Sequence, residues 1–147
     1  MNTELSTLPD ASLADQAEAR LLGNHVPVEC PLRHLFAPGV YVREVTMPEG
    51  AFVIGHAHKT EHFNFVLSGR ARVLIDGTVR EISAGEVFVS KPGVRKMLFI
   101  LETMRFATVH PTEETDLDRL HEMHVIKSPA FLDYEEAIQK LKEETKS

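Results

Sequence analysis

Three histidines fall within seven residues in the stretch GHAHKTEHFNFVLSG, residues 55–69. They are His56, His58 and His62, with Glu61 and Asn64 close by. Imidazole nitrogens and carboxylate oxygens both bind transition metals, so this run is a candidate metal site. Because side chains alternate along a strand, only those on one strand face can share an ion.

The elements that must position this run are short strands. From Val40 onward, segments rich in Val, Ile and Phe are separated by Gly, Pro and Asp, and Asp76–Gly77 is the strongest turn signal. This pattern predicts a β-sandwich or barrel rather than a parallel α/β sheet. The predicted strands are 40–47, 51–58, 62–68, 71–76, 78–82, 86–90, 95–101 and 105–110.

Helices are predicted on both sides of the strands. Residues 10–22 have the apolar periodicity of a helix. In the connector that follows, prolines at 27, 31 and 38 argue against regular structure. After Pro111 we expect a short helix capped by Thr112 or Thr115 and a second helix over 133–146. These helices would pack on the outside of the barrel or serve a dimer contact.

Composition narrows the classes of function. The chain has 147 residues, enough for one domain, and a net charge of −6, which argues against a general nucleic-acid binder. The sequence contains no apolar run of about 18 residues, so it predicts no membrane span. The N-terminus has no signal-peptide pattern, and the single cysteine, Cys30, fits a reducing compartment. We therefore expect a cytoplasmic protein.

Strand parity separates Glu61 from His62. His56 and His58 are two residues apart and would point to one face of the predicted strand 51–58. If His62 points inward, so do Asn64 and Val66, whereas Glu61 and the apolar row Phe63, Phe65 and Leu67 point outward. If Glu61 pointed inward instead, the three large apolar side chains of that row would lie in the cavity. The outward row must then be covered by the connector, a helix or a second subunit.

The same stretch resembles the first motif of the cupin superfamily. Gly50 is followed by five residues, His56-Ala57-His58, three residues, His62, six residues and Gly69. The family has a glutamate ligand where this chain has His62. The second motif is similar as well, because Gly85 and Gly93 keep its spacing. Its proline is displaced by one position, and its usual histidine ligand is replaced by Lys96. The chain also resembles a group of small cupins found in bacteria and phages.

This resemblance implies an all-β, cupin-type double-stranded β-helix, or jelly roll, with flanking N- and C-terminal helices. We divide the chain into an N-terminal helix and connector (1–38), the barrel (39–111) and the C-terminal helices (112–147). A homodimer is expected, with no nucleic-acid or membrane partner.

The resemblance further implies a metal-binding cupin that acts on a small molecule. His56, His58 and His62 would hold a divalent transition metal such as Zn²⁺, Fe²⁺, Ni²⁺ or Mn²⁺. Lys96 and Asn64 would position the substrate at the catalytic centre. Isomerase, lyase and dioxygenase chemistry all remain open, because a fold does not fix a reaction. Two alternatives stand beside it: a metal-free module in which Lys96 recruits an anionic ligand, and a structural or assembly subunit.

Three further histidines receive no role at the site. His110 ends a predicted strand before Pro111, and we expect it on the surface. His121 and His124 are three apart on the first C-terminal helix, where solvated or packing roles are expected.

Overall fold

The computed structural model describes residues 10–24, 28–75 and 77–145, which form nine strands and three helices. The helices are α1 (Asp10–Asn24), α2 (Leu117–His124) and α3 (Pro129–Thr145). The strands are β1 (Leu32–Ala37), β2 (Val40–Met47), β3 (Phe52–Ile54), β4 (Ala57–His58), β5 (His62–Ile75), β6 (Thr78–Ser83), β7 (Val87–Ser90), β8 (Met97–Pro111) and β9 (Val125–Ile126). In the described ranges no helix is long and apolar enough to cross a membrane.

Two long strands, β5 and β8, pair along their whole length and form the framework of the barrel. The sequence predicted two segments for each, but in each case one strand runs through. The register of the pair shifts between Val66 and Ala71. Gly69 lies at this irregularity with a φ of 81°, and a Cβ there would come within 2.2 Å of the Thr103 carbonyl oxygen. Glycine therefore allows the strands to bend here without losing their pairing.

The bend divides the antiparallel sheet into two halves that enclose one interior. The first half pairs the later part of β5 with β6 and the early part of β8, which also pairs with β3. Its inward side chains are apolar and fully buried, and they include Val73, Ile82 and Ile100. Val66 and Phe106 from the other half join the same core. This end of the barrel is therefore filled by the hydrophobic core.

The second half has the strand order β7-β5-β8-β2-β1, and its inward side chains are polar. Its register aligns His62 with Ser90, and Tyr41 with His110. Thr108 is aligned with both Asn64 and Arg43. His62 and Asn64 are buried while Glu61 and Phe63 are exposed, which confirms the predicted parity of this segment. The site side chains therefore gather at the end of the barrel that the core leaves open.

The connector was wrongly expected to lack regular structure. Between Pro31 and Pro38 it forms β1, which pairs antiparallel with β2 over six residues. The prolines flank the strand rather than interrupt it, and an edge strand tolerates them there. The barrel sheet therefore begins inside the segment assigned to the connector, and Pro27 lies outside the described residues. The three-part division of the chain stays a prediction.

A buried ionic cluster connects helices α1 and α3 to the barrel. Arg95, which is 2% exposed, donates to Asp15 at 2.5 Å and Glu18 at 3.0 Å on α1, and to the Gly55 carbonyl oxygen at 2.8 Å. Glu18 also accepts a hydrogen bond from Ser128, which in turn accepts one from the Phe131 N–H in the first turn of α3. One arginine thus joins both terminal helices to the segment just before the histidine run.

The cap of α2 is Asp116, whose carboxylate accepts from the Arg119 N–H at 3.1 Å. The predicted caps, Thr112 and Thr115, were wrong by one residue or more. Thr112 instead accepts from the Glu114 N–H in the preceding turn.

The outer face of the second half carries an unbroken apolar row. Phe63 and Leu67 on β5 are 52% and 43% exposed, and the neighbouring Val87 and Val89 on β7 are 54% and 47% exposed. The expectation that the connector or a helix covers Phe63 and Leu67 is therefore wrong for the described part of the chain. Coverage by a second subunit stays a prediction.

Candidate functional site

The polar end of the barrel encloses a cavity of about 550 Å³. Its walls come from β1, β2, β8 and α2 and from the β3–β4 segment. Tyr41, Arg43, His58, Lys96 and His110 supply the polar lining. The volume is that of a small-molecule site.

Three histidine rings cluster beside this cavity: His58 from β4, His62 from β5 and His110 from β8. The ring centroids lie 4.4 Å apart for His58 and His62, 4.8 Å for His62 and His110, and 5.5 Å for His58 and His110. His110 is 3% exposed, so its expected surface position is wrong. The ring of His124, at the end of α2, lies 5.8 Å from the ring of His110 and is also buried. Of the two roles expected for His124, solvated or packing, it therefore has the packing role.

His56 leaves this cluster although it lines the same cavity. Its ring lies 4.5 Å from Phe131 and 6.0 Å from His121. The expected pairing of His56 with His58 assumed one strand over 51–58, but β3 ends at Ile54 and β4 begins at Ala57. β4 then pairs with β9 rather than with the barrel sheet. The break at Gly55 and His56 removes the strict alternation on which the pairing depended.

All the clustered histidines are held in the neutral form at physiological pH. Burial, reinforced by neighbouring histidines, lowers the pKa of His110 to about 3, and burial together with Lys96 lowers the pKa of His62 to about 4. The same causes lower the pKa of His58 to about 2. Desolvation favours the uncharged imidazole because the charged form loses its hydration.

Each ring of the cluster also has a buried nitrogen that makes no hydrogen bond to a described residue: His58 Nδ1, His62 Nε2 and His110 Nδ1. The other nitrogen of His110 is satisfied by Thr108 Oγ1 at 2.9 Å, and that of His62 lies 3.3 Å from the Thr60 carbonyl oxygen. A buried polar atom without a partner costs about 1–3 kcal/mol. Three such atoms around one cavity indicate a site for a polar ligand or ion.

Lys96 lies next to the cluster, and its ammonium group is buried. It is 7% exposed and donates to Ser90 Oγ at 3.0 Å. Asn64 Nδ2 donates to the same oxygen at 2.8 Å and to the Phe88 carbonyl oxygen at 3.3 Å. Burial, with a smaller effect of Arg43, lowers the pKa of Lys96 to about 8. Lys96 is therefore still mostly protonated at neutral pH.

Arg43 is a second cation on the cavity wall. It is half-buried on β2, next to Tyr41, whose hydroxyl is 2.7 Å from His34 Nδ1. Among the described residues, neither Arg43 nor Lys96 forms an ion pair with a carboxylate. Asp118 also lines the cavity, but it is exposed on α2. The buried wall thus carries two positive charges that no described acidic side chain neutralises.

Metal binding can be judged from the donors and from their arrangement. Neutral imidazoles with free nitrogens are the form that binds transition metals. Within residues 10–24, 28–75 and 77–145, however, no three His, Cys, Asp or Glu side chains are arranged to hold one ion. His62 and His110 are nearly parallel, at 29°, so their rings stack rather than point to one centre. The metal role of His56, His58 and His62 stays a prediction.

Several site residues escaped the sequence analysis. Ser90 and Arg43 could have been found from period-two alternation, since they share inward rows with the histidine run. His110 is adjacent to His62 only through the pairing of β5 with β8, strands whose site residues lie far apart in the chain. No local pattern carries that information.

Comparison with known proteins shows what the barrel is similar to. A family model described as a cupin domain matches residues 43–103. No curated protein matches the chain by sequence. Among solved structures, a putative ethanolamine utilization protein Q from Salmonella typhimurium is 18% identical with a TM-score of 0.51, over 60% of this chain and 73% of that one. KdgF from Halomonas is 19% identical with a TM-score of 0.50, over 60% and 86%.

The EutQ protein of Clostridium difficile is 19% identical with a TM-score of 0.50, over 64% of this chain and 75% of the other. At such identities these neighbours bear on the fold alone. The family model and the bent antiparallel barrel agree, with helices flanking a jelly roll at both ends. Residues 43–103 match the cupin-domain model, and the fold around them is the double-stranded β-helix that this match implies.

Proposed function

We propose that this protein binds a small anionic molecule in the cavity at the polar end of its barrel. The observation that carries the proposal is the pair of cations, Lys96 and Arg43, which line one cavity and form no ion pair with a described carboxylate. Small carboxylates and phosphates are the chemical class that such a pair recognises.

The energetic reason is desolvation. A buried ammonium group that lacks a counter-ion is costly, and among the described residues the only hydrogen-bond acceptor of Lys96 is a neutral hydroxyl. An anion between Lys96 and Arg43 would supply the missing negative charge. The neutral rings of His58, His62 and His110 would add hydrogen-bonding groups without more positive charge.

Lys96 and Asn64 keep distinct roles in this proposal. Lys96 contacts the ligand and can act as a general acid, since its lowered pKa brings proton loss near physiological pH. Asn64 acts through Ser90, whose oxygen accepts from both side chains and so fixes where the ammonium group lies. If the protein is an enzyme, isomerase, lyase and dioxygenase chemistry remain open.

A second candidate function is supported by the free histidine nitrogens. His58, His62 and His110 would hold a divalent transition metal such as Zn²⁺, Fe²⁺, Ni²⁺ or Mn²⁺, and His56 would join them only if it turned away from Phe131. The ion would supply a Lewis acid that polarises a substrate oxygen. Lys96 and Arg43 oppose it by like-charge repulsion, which is why this candidate ranks second.

The experiment is isothermal titration calorimetry with a panel of small carboxylates and phosphates, on protein made without a histidine tag and stripped of metal. Lys96→Met and Arg43→Met should each weaken binding at least about tenfold, because each removes a charged hydrogen bond worth about 1.5–3 kcal/mol. Lys91→Met and Arg72→Met change exposed cations and should leave the affinity unchanged. Equal affinities in all four variants would overturn the proposal.

Metal analysis of the same untagged protein before stripping tests the second candidate. One equivalent of metal that His62→Ala removes would favour it. Sub-stoichiometric metal that His62→Ala leaves unchanged would rule it out.

A further inference from the structure

A second cavity, of about 370 Å³, lies beside the barrel between α1, β3 and α3. Its lining is mostly apolar and includes Leu21 and Leu22 from α1, Ala51 and Phe52 at β3, and Phe131 from α3. Its one charged group is Glu18, whose carboxylate is already bonded to Arg95 and Ser128. His56 and Tyr134 add polar groups to an otherwise mostly apolar lining, so this cavity offers a ligand mainly apolar surface.

The two cavities share a wall. Cys30, Val53, Ile54 and His56 line both of them. The cationic cavity and the apolar one therefore adjoin each other at these side chains. His56 lies at this boundary with its ring against Phe131, and its Nδ1 is buried without a hydrogen bond to a described residue.

The contrast between the cavities points to one class of ligand. The barrel cavity has cations and unpaired imidazole nitrogens, so it suits a charged head group. The neighbouring cavity gains free energy only by removing apolar surface from water. We infer that the ligand is amphipathic, with its anionic group beside Lys96 and Arg43 and an apolar tail that passes His56 and Ile54 into the second cavity.

This inference rests on the proposed anion site and names the substrate class for it: carboxylates with a linear or branched apolar chain. His56 is then a specificity residue at the junction, rather than a member of the His58 cluster. Its break from strand alternation, at the end of β3, places it where the tail must cross. The apolar chain determines which anions bind well.

The test is calorimetry on the intact chain with the straight-chain series butanoate, hexanoate and octanoate and with the matching alcohols. Each added CH₂ group should raise carboxylate affinity about fourfold, as expected for roughly 0.8 kcal/mol per buried methylene. The alcohols should bind much more weakly than the acids of equal length.

Leu21→Phe fills part of the second cavity and should remove most of the gain between butanoate and octanoate while butanoate binding is kept. Leu132→Phe is the matched control, since Leu132 is 51% exposed on α3 and lines neither cavity. If Leu21→Phe does not fold, the wild type still decides the matter through NMR. Nuclear Overhauser contacts should join the octanoate methyl group to the ring protons of Phe131.

The outcomes separate the two proposals. Butanoate binding with no gain from a longer chain overturns the amphipathic ligand and leaves the anion site standing. Absence of binding by every carboxylate of this series overturns the amphipathic ligand, and absence of binding by the small phosphates as well overturns both. Alcohols that bind as tightly as the acids also overturn both, because the head group would then carry no charge recognition.

Discussion

Lys96 donates to Ser90 Oγ at 3.0 Å while the same oxygen accepts from Asn64 at 2.8 Å. All three side chains are buried, and Ser90 is 1% exposed. Two N–H donors occupy both acceptor positions of the hydroxyl, so its own proton is free to point elsewhere. Ser90 thereby fixes a buried ammonium group at the cavity wall without neutralising its charge.

Ser90→Ala tests this arrangement. We expect a loss of about 1–3 kcal/mol in the free energy of unfolding, because the mutation leaves two buried donors without their acceptor. Anion affinity should also fall, since Lys96 is no longer held in position. Chemical denaturation and calorimetry measure the two effects. Ser83→Ala, at an exposed position on β6, should change neither. A Ser90→Ala variant as stable as the wild type would contradict the role given to Ser90.

Anion affinity should depend on pH through Lys96. Burial lowers the pKa of Lys96 to about 8, so the ammonium group loses its proton as pH rises through that value. Binding of an anion should therefore weaken as pH increases from 7 to 9, since the charge that attracts it disappears. Calorimetry across this range measures the slope. In Lys96→Met the slope should vanish, and a slope that persists there would assign the effect to another group.

Fold stability should depend on pH through the histidine cluster. In the folded state burial lowers the pKa of His62 to about 4 and of His110 to about 3, whereas the unfolded chain titrates near 6.5. Between pH 6.5 and about 4 the unfolded state therefore binds protons that the folded state does not. Stability should fall as pH decreases through this window, by up to about 1.4 kcal/mol per pH unit for each histidine.

Urea denaturation at several pH values measures this fall. The double variant His62→Gln, His110→Gln should show a shallower dependence over the same range. Identical slopes in the wild type and the double variant would mean that the cluster is not the source.

The expected homodimer can be tested at the exposed apolar row. Leu35, Val42, Val109, Phe63 and Val89 align across five strands on the outer face. A second copy packed on this face would remove the row from water. Light scattering should find a dimer, and Phe63→Lys should dissociate it. Val79→Lys, at a residue 66% exposed on β6, is the control. If light scattering found the wild type to be a monomer at all concentrations, the expected homodimer would be wrong.

Much of the fold could be read from local pattern. β2 occupies the predicted residues 40–47, because a run of β-branched residues bounded by glycine and proline is a local signal. The long strands β5 and β8 were each predicted as two, and in β5 the reason is that Gly69 reads as a turn. It is instead the position where a single strand bends.

The site was predictable where it depends on one strand. His62 and Asn64 follow from alternation along β5. His110 reaches the same cavity through the pairing of β8 with β5, which a single sequence does not encode locally. His56 departs from its expected partners because Gly55, bonded to Arg95 and to the Lys96 backbone, interrupts the strand. The tertiary contacts of Gly55 thus override the strand alternation between Ile54 and Ala57.

The most direct test of the central claim is a crystal structure of the protein with bound butanoate. The account predicts carboxylate oxygens about 2.7–2.9 Å from the Lys96 ammonium group and from the Arg43 guanidinium group, the usual range for charge-assisted hydrogen bonds. A metal ion about 2.0–2.1 Å from the histidine nitrogens, with Lys96 turned away and no carboxylate contacting it, would contradict the account.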